Sequence, residues 1–341
     1  MLFRQPGGPE VLEYTDVEDP DAGPNDVVID VAATALNHLD VVQRNGWFTM
    51  PGMTLPHIAG MDVVGVISAV GSDVSRVRVG DRVVVDPSLS EVPSGSRLAG
   101  MSDLYIELGV IGATVAGGYA QRCLAPETHV HLVPDSMSWH HAVCFPSAWA
   151  TAWHALFDIG GLTAGETLLV HAAGSGVSTA AIQLALHAGA TVLATAGSEL
   201  KCDRAVELGA HHVFNNRTGD VAAWARDVTN GVGVDMVLDH VGPALWSAST
   251  FSLRPRGRLV TCGNTTGDQA TIDSLGYLFH MGIQIRGSDP YRYSEFADAW
   301  SVYTSNEFHS PVDSVFALEE AAQAQDKMMR SDFFGKILLE P

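Results

Sequence analysis

The chain has 341 residues, 46% of them hydrophobic, enough for about two domains of ~150 residues with filled cores. Its formal net charge is −20, with 39 acidic residues against only 19 lysines and arginines, and lysine is nearly absent: Lys201, Lys327 and Lys336. Such a surface repels phosphate backbones and excludes nucleic acid as a partner. No apolar run approaches the ~20 residues needed to span a bilayer, and the N-terminal stretch lacks the apolar core of a signal peptide. A soluble cytoplasmic protein without a membrane partner is expected, and the acidity points to a salt-loving, halophilic source.

In chain order, VVIDVAATAL (27–36), VVGVISAVG (63–71) and DRVVVDP (81–87) read as short β-prone runs broken by turn residues, with few long helical patterns before position 137. This predicts a compact antiparallel β unit carrying a long loop over 87–117. From Ala164 the pattern changes. ETLLVHA (166–172) reads as a buried parallel strand, followed by a glycine turn and a helix over 177–189. Strands at 191–196, 211–214, 234–241, 258–263 and 283–288 then alternate with helices at 200–209, 220–229 and 244–253. Six strands alternating with helices predict a doubly wound α/β parallel sheet. The tail lies beyond the sixth strand and is expected to return to the first domain. Cys123, Cys144, Cys202 and Cys262 lie far apart with no C-x-x-C pair, which argues against a disulfide framework or a structural zinc knuckle.

HAAGSGVSTAAIQLAL (171–186) follows a strand and opens a helix. Backbone N–H groups at a helix start point at an anion, and bare glycine backbone lets a pyrophosphate approach. Gly174 and Gly176 supply that backbone; Ser178 or Thr179 stands where a third glycine is often found. At the next strand end, an acidic residue would select NAD by binding the ribose hydroxyls. Here Thr195-Ala196-Gly197-Ser198 carries none, and Ser198, Lys201 and Arg204 offer donors and positive charge to a 2′-phosphate. NADPH is therefore favoured over NADH, with Glu199 the residue that could argue for NADH by turning inward.

Taken together, LNHLDVVQRNG (36–46), GMDVVGVISAVGSDVSRVRVGDRV (60–83), GGYAQ (117–121), SAWATAWHAL (147–156), the HAAGSGVS turn, LGAHHVFN (208–215), GVDMVLDHVG (233–242), GRLVTCGNTTG (257–267) and GKILLEP resemble the medium-chain dehydrogenase/reductase superfamily, and its quinone oxidoreductase-like branch. The resemblance implies a GroES-like β-rich catalytic domain, residues 1–148 with 286–341, and a Rossmann cofactor domain, residues 149–285. It also implies a homodimer or homotetramer, and hydride transfer to a small-molecule electron acceptor. It assigns Gly174, Ser175, Gly176 and Val177 to the pyrophosphate, and Ser198 and Lys201 to the adenosine phosphate. Thr151 falls beside the nicotinamide, with Cys262, Gly263 and Asn264 along its carboxamide. Asn216 replaces a tyrosine that several relatives use on the 2′-phosphate.

The superfamily's catalytic zinc takes ligands at three places, and here these hold Asn37, Met61 and Ser147, poor ligands compared with cysteine and histidine. No metal is expected. Without a Lewis acid, the substrate must already be electron-poor, such as a quinone or an activated alkene or carbonyl. Asn37 is the first candidate for orienting cofactor or substrate, with water, His38 or Tyr119 as proton source. Trp47, Phe48 and Trp149 are candidates for an apolar pocket wall. Two alternatives remain: an alcohol dehydrogenase whose zinc is held by relocated ligands drawn from His38, Asp40, His57, Asp62 and Cys144, and a non-catalytic NADPH-binding protein.

Overall fold

The computed structural model describes residues 1–89, 109–289 and 291–341. Most of the long loop expected over 87–117 lies outside these residues. The chain divides into two compact units, Met1–Ala150 with Arg292–Pro341, and Thr151–Tyr291. The expected boundaries at 148 and 286 differ from these by a few residues.

The first unit is built on a seven-stranded sheet. Asp26–Ala35 pairs antiparallel with Asp62–Val70, with Arg122–Pro126 and with the final strand Lys336–Glu340. Val312–Ala317 runs parallel to that final strand, so the tail returns to this unit as expected. The strands are β-branched and their alternate residues are buried; Val27, Ile29, Val31, Val63, Ile67, Val83 and Val85 pack into one apolar cluster. Gly65 lies so close to the Asp30 carbonyl that a side chain would overlap it. At the head of the second strand, Gly60 has φ 101°, and a Cβ there would sit 2.5 Å from Tyr119 Cδ1. Only glycine meets both demands.

The second unit holds six parallel strands in the order His212–Asn215, Thr191–Ala196, Thr167–Val170, Val234–Asp239, Leu253–Thr261, Gln284–Gly287. In chain order this is 3-2-1-4-5-6, the doubly wound dinucleotide arrangement. Its central strands Thr167–Val170, Thr191–Ala196 and Val234–Asp239 are rich in buried Val, Leu, Met and Ala, as strands covered on both faces require. The six expected strands are all present, with ends displaced by a few residues. Helices Leu275–Met281 and Tyr293–Ser305 had no sequence signal strong enough to be assigned. No helix among the described residues is long and apolar enough to cross a membrane.

Candidate active site

In the second unit, the strand Thr167–Val170 leads through Ala172 (φ 49°) into the helix Gly176–His187. Ser175 is the N-cap; its Oγ accepts the Ser178 N–H at 3.1 Å. Gly174, Ser175, Gly176 and Val177 thus stand together at a helix start, in the geometry that suits a pyrophosphate. Ser178, one of the two residues that could stand for the third glycine, is buried and its hydroxyl donates to the His171 carbonyl at 2.6 Å, tying helix to strand. That proton being spent, His240 donates Nε2–H toward Ser178 Oγ at 2.8 Å and Ser175 Oγ at 3.1 Å. Burial pushes His240 down to about 4, so the imidazole is neutral. Sequence reading passed over His240, because a lone histidine at a strand end carries no pattern.

Beneath the turn a second chain of groups is fully buried. Asp239 Oδ2 accepts the Ser249 hydroxyl at 2.7 Å, and Oδ1 accepts the Val241 and Gly242 N–H groups at 2.8 and 2.9 Å. His171 then donates Nε2–H to Ser249 at 3.0 Å and accepts Thr195 Oγ1–H at Nδ1, 2.8 Å away. The ends of three strands and one helix are thereby locked to one another.

At the tip of Thr191–Ala196, Ser198 caps the helix Glu199–Glu207, accepting the Lys201 N–H at 3.4 Å. Glu199 does not turn inward; its Oε1 accepts Asn215 Nδ2–H at 2.8 Å. Arg217, which sequence reading missed, lies over the tip: a Cβ on Gly197 would come within 3.2 Å of its Nε. The bare Gly197 makes room for this guanidinium. Cys262, Gly263 and Asn264 follow the fifth strand; Cys262 N–H donates to Asp239 O at 3.1 Å and Asn264 Nδ2–H to Asp268 at 3.0 Å. Thr151 is half-buried on the helix Pro146–Trp153.

In the first unit, sheet register sets Ala35 opposite Asp62, which brings Asn37 to the head of the second strand. Asp62 is fully buried and its carboxylate is saturated. Oδ1 accepts Ser147 N–H at 2.8 Å and Ser147 Oγ–H at 2.6 Å; Oδ2 accepts Asn37 Nδ2–H at 3.0 Å and Lys336 Nζ–H at 2.8 Å. Lys336, at the start of the final strand, also donates to Asn37 Oδ1 and Leu36 O, each at 2.8 Å. Two of the three zinc-ligand positions are thus tied into a buried ion pair with an ammonium in its midst. The third, Met61, packs with Leu39, Met50, Val110 and Ala113.

A zinc does not fit this donor set. Asn37 and Ser147 are neutral, poor ligands and both already donate to Asp62, Met61 offers only a thioether among apolar neighbours, and the Lys336 ammonium lies 2.8 Å from Asn37 Oδ1. The relocated ligands fare no better. Asp40 accepts from Asn37 N–H, Gly60 N–H and the Tyr119 hydroxyl. His57 Nε2 lies 3.1 Å from Gly112 O, and Cys144 Sγ–H donates to His140 O, its thiol pushed up to about 12 by burial. None of the five belongs to a cluster of three ligand atoms within 4.8 Å among the described residues.

His38 is exposed at the first turn of the helix His38–Asn45, its ring 6.4 Å from that of Phe333. Tyr119 needs correction as a proton source. It is fully buried in the apolar core, its hydroxyl is given to Asp40 at 3.2 Å, and burial raises its pKa well above the ordinary value. Trp149 is likewise core rather than pocket wall, donating Nε1–H to Ser310 and packing against Tyr303 and Phe308. Trp47 and Phe48 are exposed, Trp47 by 67%.

Residues 23–135 match the alcohol dehydrogenase GroES-like domain, and residues 176–305 match the zinc-binding dehydrogenase family. A quinone oxidoreductase of Pseudomonas aeruginosa is 31% identical over the whole of this chain and 99% of its own length. Among solved structures, an NAD-dependent alcohol dehydrogenase superposes with a TM-score of 0.93 at 36% identity, covering 100% of this chain and 98% of that one. Escherichia coli quinone oxidoreductase complexed with NADPH superposes with a TM-score of 0.82 at 25% identity, covering 100% and 99%. The chain belongs to the medium-chain dehydrogenase/reductase superfamily, as a quinone oxidoreductase-like oxidoreductase.

Proposed function

We infer that the protein reduces a quinone or an α,β-unsaturated carbonyl compound with NADPH, without a catalytic metal. The observation that carries this reading is that Asn37 and Ser147, at two of the family's three zinc-ligand positions, are tied into the buried Asp62–Lys336 pair, while Met61 at the third packs among apolar side chains. An alcohol would need a Lewis acid to stabilise its alkoxide; an acceptor that is already electron-poor does not.

When bound, the dihydronicotinamide supplies the hydride. The glycine turn, with Ser175, would take the pyrophosphate, and Cys262–Asn264 would border the carboxamide. Asn37 offers a hydrogen bond to the acceptor, and a solvent proton, direct or through the exposed His38, completes the product. NADPH rather than NADH is supported by Arg217 and Lys201 at the second strand tip and by the engagement of Glu199 with Asn215. The E. coli relative bound to NADPH supports the same choice, while the NAD-dependent relative supports the other.

The test is NADPH oxidation by purified protein with 1,4-benzoquinone and with a 2-alkenal, alongside metal analysis of untagged protein. Turnover that survives chelation is expected. Stoichiometric zinc, with loss of activity on its removal, would refute the reading, and tight NADPH binding without turnover would favour a binding module. For cofactor choice, Arg217→Ala is expected to weaken NADPH about tenfold by nicotinamide fluorescence and leave NADH unchanged. Equal effects on both would point to NAD.

A homodimer or homotetramer is supported by the sheet edge at Gln284–Gly287, which has no outer partner among the described residues. The neighbouring helix leaves Leu275 and Phe279 68% and 69% exposed. Light scattering on eluted protein would report a monomer if this is wrong.

A further inference from the structure

Where the strands of the cofactor unit begin, there is a cavity of about 380 Å³, the size of a small-molecule site. Thr167, Thr191, His212 and Arg254 line it, each at the first or second position of a strand. The glycine turn follows the last residue of its strand, so cavity and turn lie at opposite ends of the sheet. At about 3.3 Å per residue, the six residues of Thr191–Ala196 hold those ends about 17 Å apart. Dinucleotides bind at the carboxyl ends of such strands, so the cofactor does not account for this hollow. Its polar wall has donors to spare. Asp235 is committed: Oδ2 accepts the Thr167 N–H at 2.7 Å, and Oδ1 accepts Arg254 Nε–H. Arg254 Nη1 donates to Pro255 O at 2.8 Å, and Nη2 has no partner among the described residues. The Thr167 and Thr191 hydroxyls and the His212 ring also have none there. Leu193, Val228 and Val232 supply an apolar lining, with Val232 56% exposed. An uncommitted guanidinium edge beside two hydroxyls suits a carboxylate, and the apolar lining suits a short hydrocarbon.

We propose that this cavity is a second ligand site, separate from the cofactor turn, that takes a short-chain aliphatic carboxylate. Arg254 Nη2 and the Thr167 and Thr191 hydroxyls meet the carboxylate, and the chain covers Leu193, Val228 and Val232. Asp235 fixes the guanidinium from the other side, its own charge offset by Arg254 and by the Thr167 N–H. No covalent step takes place, and occupancy is independent of which acceptor the enzyme reduces.

The test is titration of the full chain with acetate, butyrate, hexanoate and neutral hexanol at constant ionic strength, by calorimetry and saturation-transfer NMR, with and without saturating NADPH. Hexanoate is expected to bind at least about tenfold more tightly than acetate, because each added methylene is drawn from water. Hexanol is expected to bind at least about tenfold more weakly than hexanoate, because it lacks the charge that Arg254 meets. NADPH should leave hexanoate affinity unchanged, which separates this cavity from the anion site at the glycine turn. Arg254→Gln removes the guanidinium and Val228→Phe fills the apolar part; each should weaken hexanoate at least about tenfold. Thr191→Val is nearly isosteric and should fold as the parent does, with hexanoate weakened about threefold. Circular dichroism checks folding. Absence of hexanoate binding, its displacement by NADPH, equal binding of acetate and hexanoate, hexanol binding as tightly as hexanoate, or affinity unmoved in folded Thr191→Val and Val228→Phe would each overturn the assignment. The metal-free reductase reading would stand in every one of these cases, since none of the titrations involves an electron acceptor.

Discussion

Asp40 is a residue whose environment opposes its charge. It is fully buried, and desolvation pushes its carboxyl from an ordinary 3.8 to about 7, with Asp62 adding to the rise; the Asn37 N–H, Lys336 and Tyr119 oppose it without cancelling it. The folded protein therefore keeps a proton that the unfolded chain releases. The stability this contributes is fully present below the unfolded pKa and is lost as pH rises through about 7. Asp40→Asn cannot ionise, so its stability relative to the parent should rise between pH 5 and pH 8 by on the order of 2 kcal/mol. Urea midpoints at the two pH values measure it, and a pH-independent difference would contradict it. Lys336→Met alone should destabilise by about 3–5 kcal/mol, because Asp62 is left buried without its cation, and the double variant with Asp62→Asn should recover much of that. At this scale the sequence was partly legible. The loss of all three zinc ligands could be read because each sits in a recognisable motif. Lys336 could not, since it comes 299 residues after Asn37 and no local pattern announces that pairing. Tyr119 was misjudged because a tyrosine beside glycines looks the same in sequence whether its hydroxyl faces a cavity or a buried carboxylate.

Helix and strand periods in the cofactor unit were strong enough to place all six strands, because alternating buried strands and glycine-closed helices leave a long-range rhythm. The buried connections between those elements leave none. His171 follows one strand, Asp239 and His240 stand together at the end of another, and Ser249 lies on a helix; only the folded sheet brings them under the turn. Ser178 and Thr179 show how an imperfect glycine fingerprint works: the Ser178 hydroxyl donates to the His171 carbonyl and that of Thr179 to the Gly176 carbonyl, so neither crowds the turn. Ser249→Ala removes the central hydroxyl, leaving Asp239 Oδ2 and the His171 Nε2–H without that partner. The expected cost is about 1–3 kcal/mol in denaturant unfolding, with weaker NADPH binding as the strand ends loosen. An unchanged midpoint would show that the link does not brace the turn.

For the whole molecule, composition predicts a response to salt. A net charge of −20 on 341 residues repels itself, and raising ionic strength shortens the screening length from ~8 Å at 0.15 M to ~3 Å at 1 M. The thermal midpoint should climb from 0.1 to 2 M KCl; equal midpoints would argue for an ordinary acidic enzyme. The resemblance implied unit boundaries at 148 and 286, against divisions after Ala150 and Tyr291, and the return of the tail followed from counting six strands. The same return has a consequence in time. During synthesis, Asp62 emerges 274 residues before Lys336, and the whole cofactor unit, 151–291, is made between them. A nascent chain halted before residue 336 carries every residue of the nucleotide turn, yet Asp62 has no counter-ion. Charge balance at Asp62 therefore arrives with the last strand, and a ribosome that stops early leaves a chain in which Asn37 Oδ1 lacks its bond from the Lys336 ammonium.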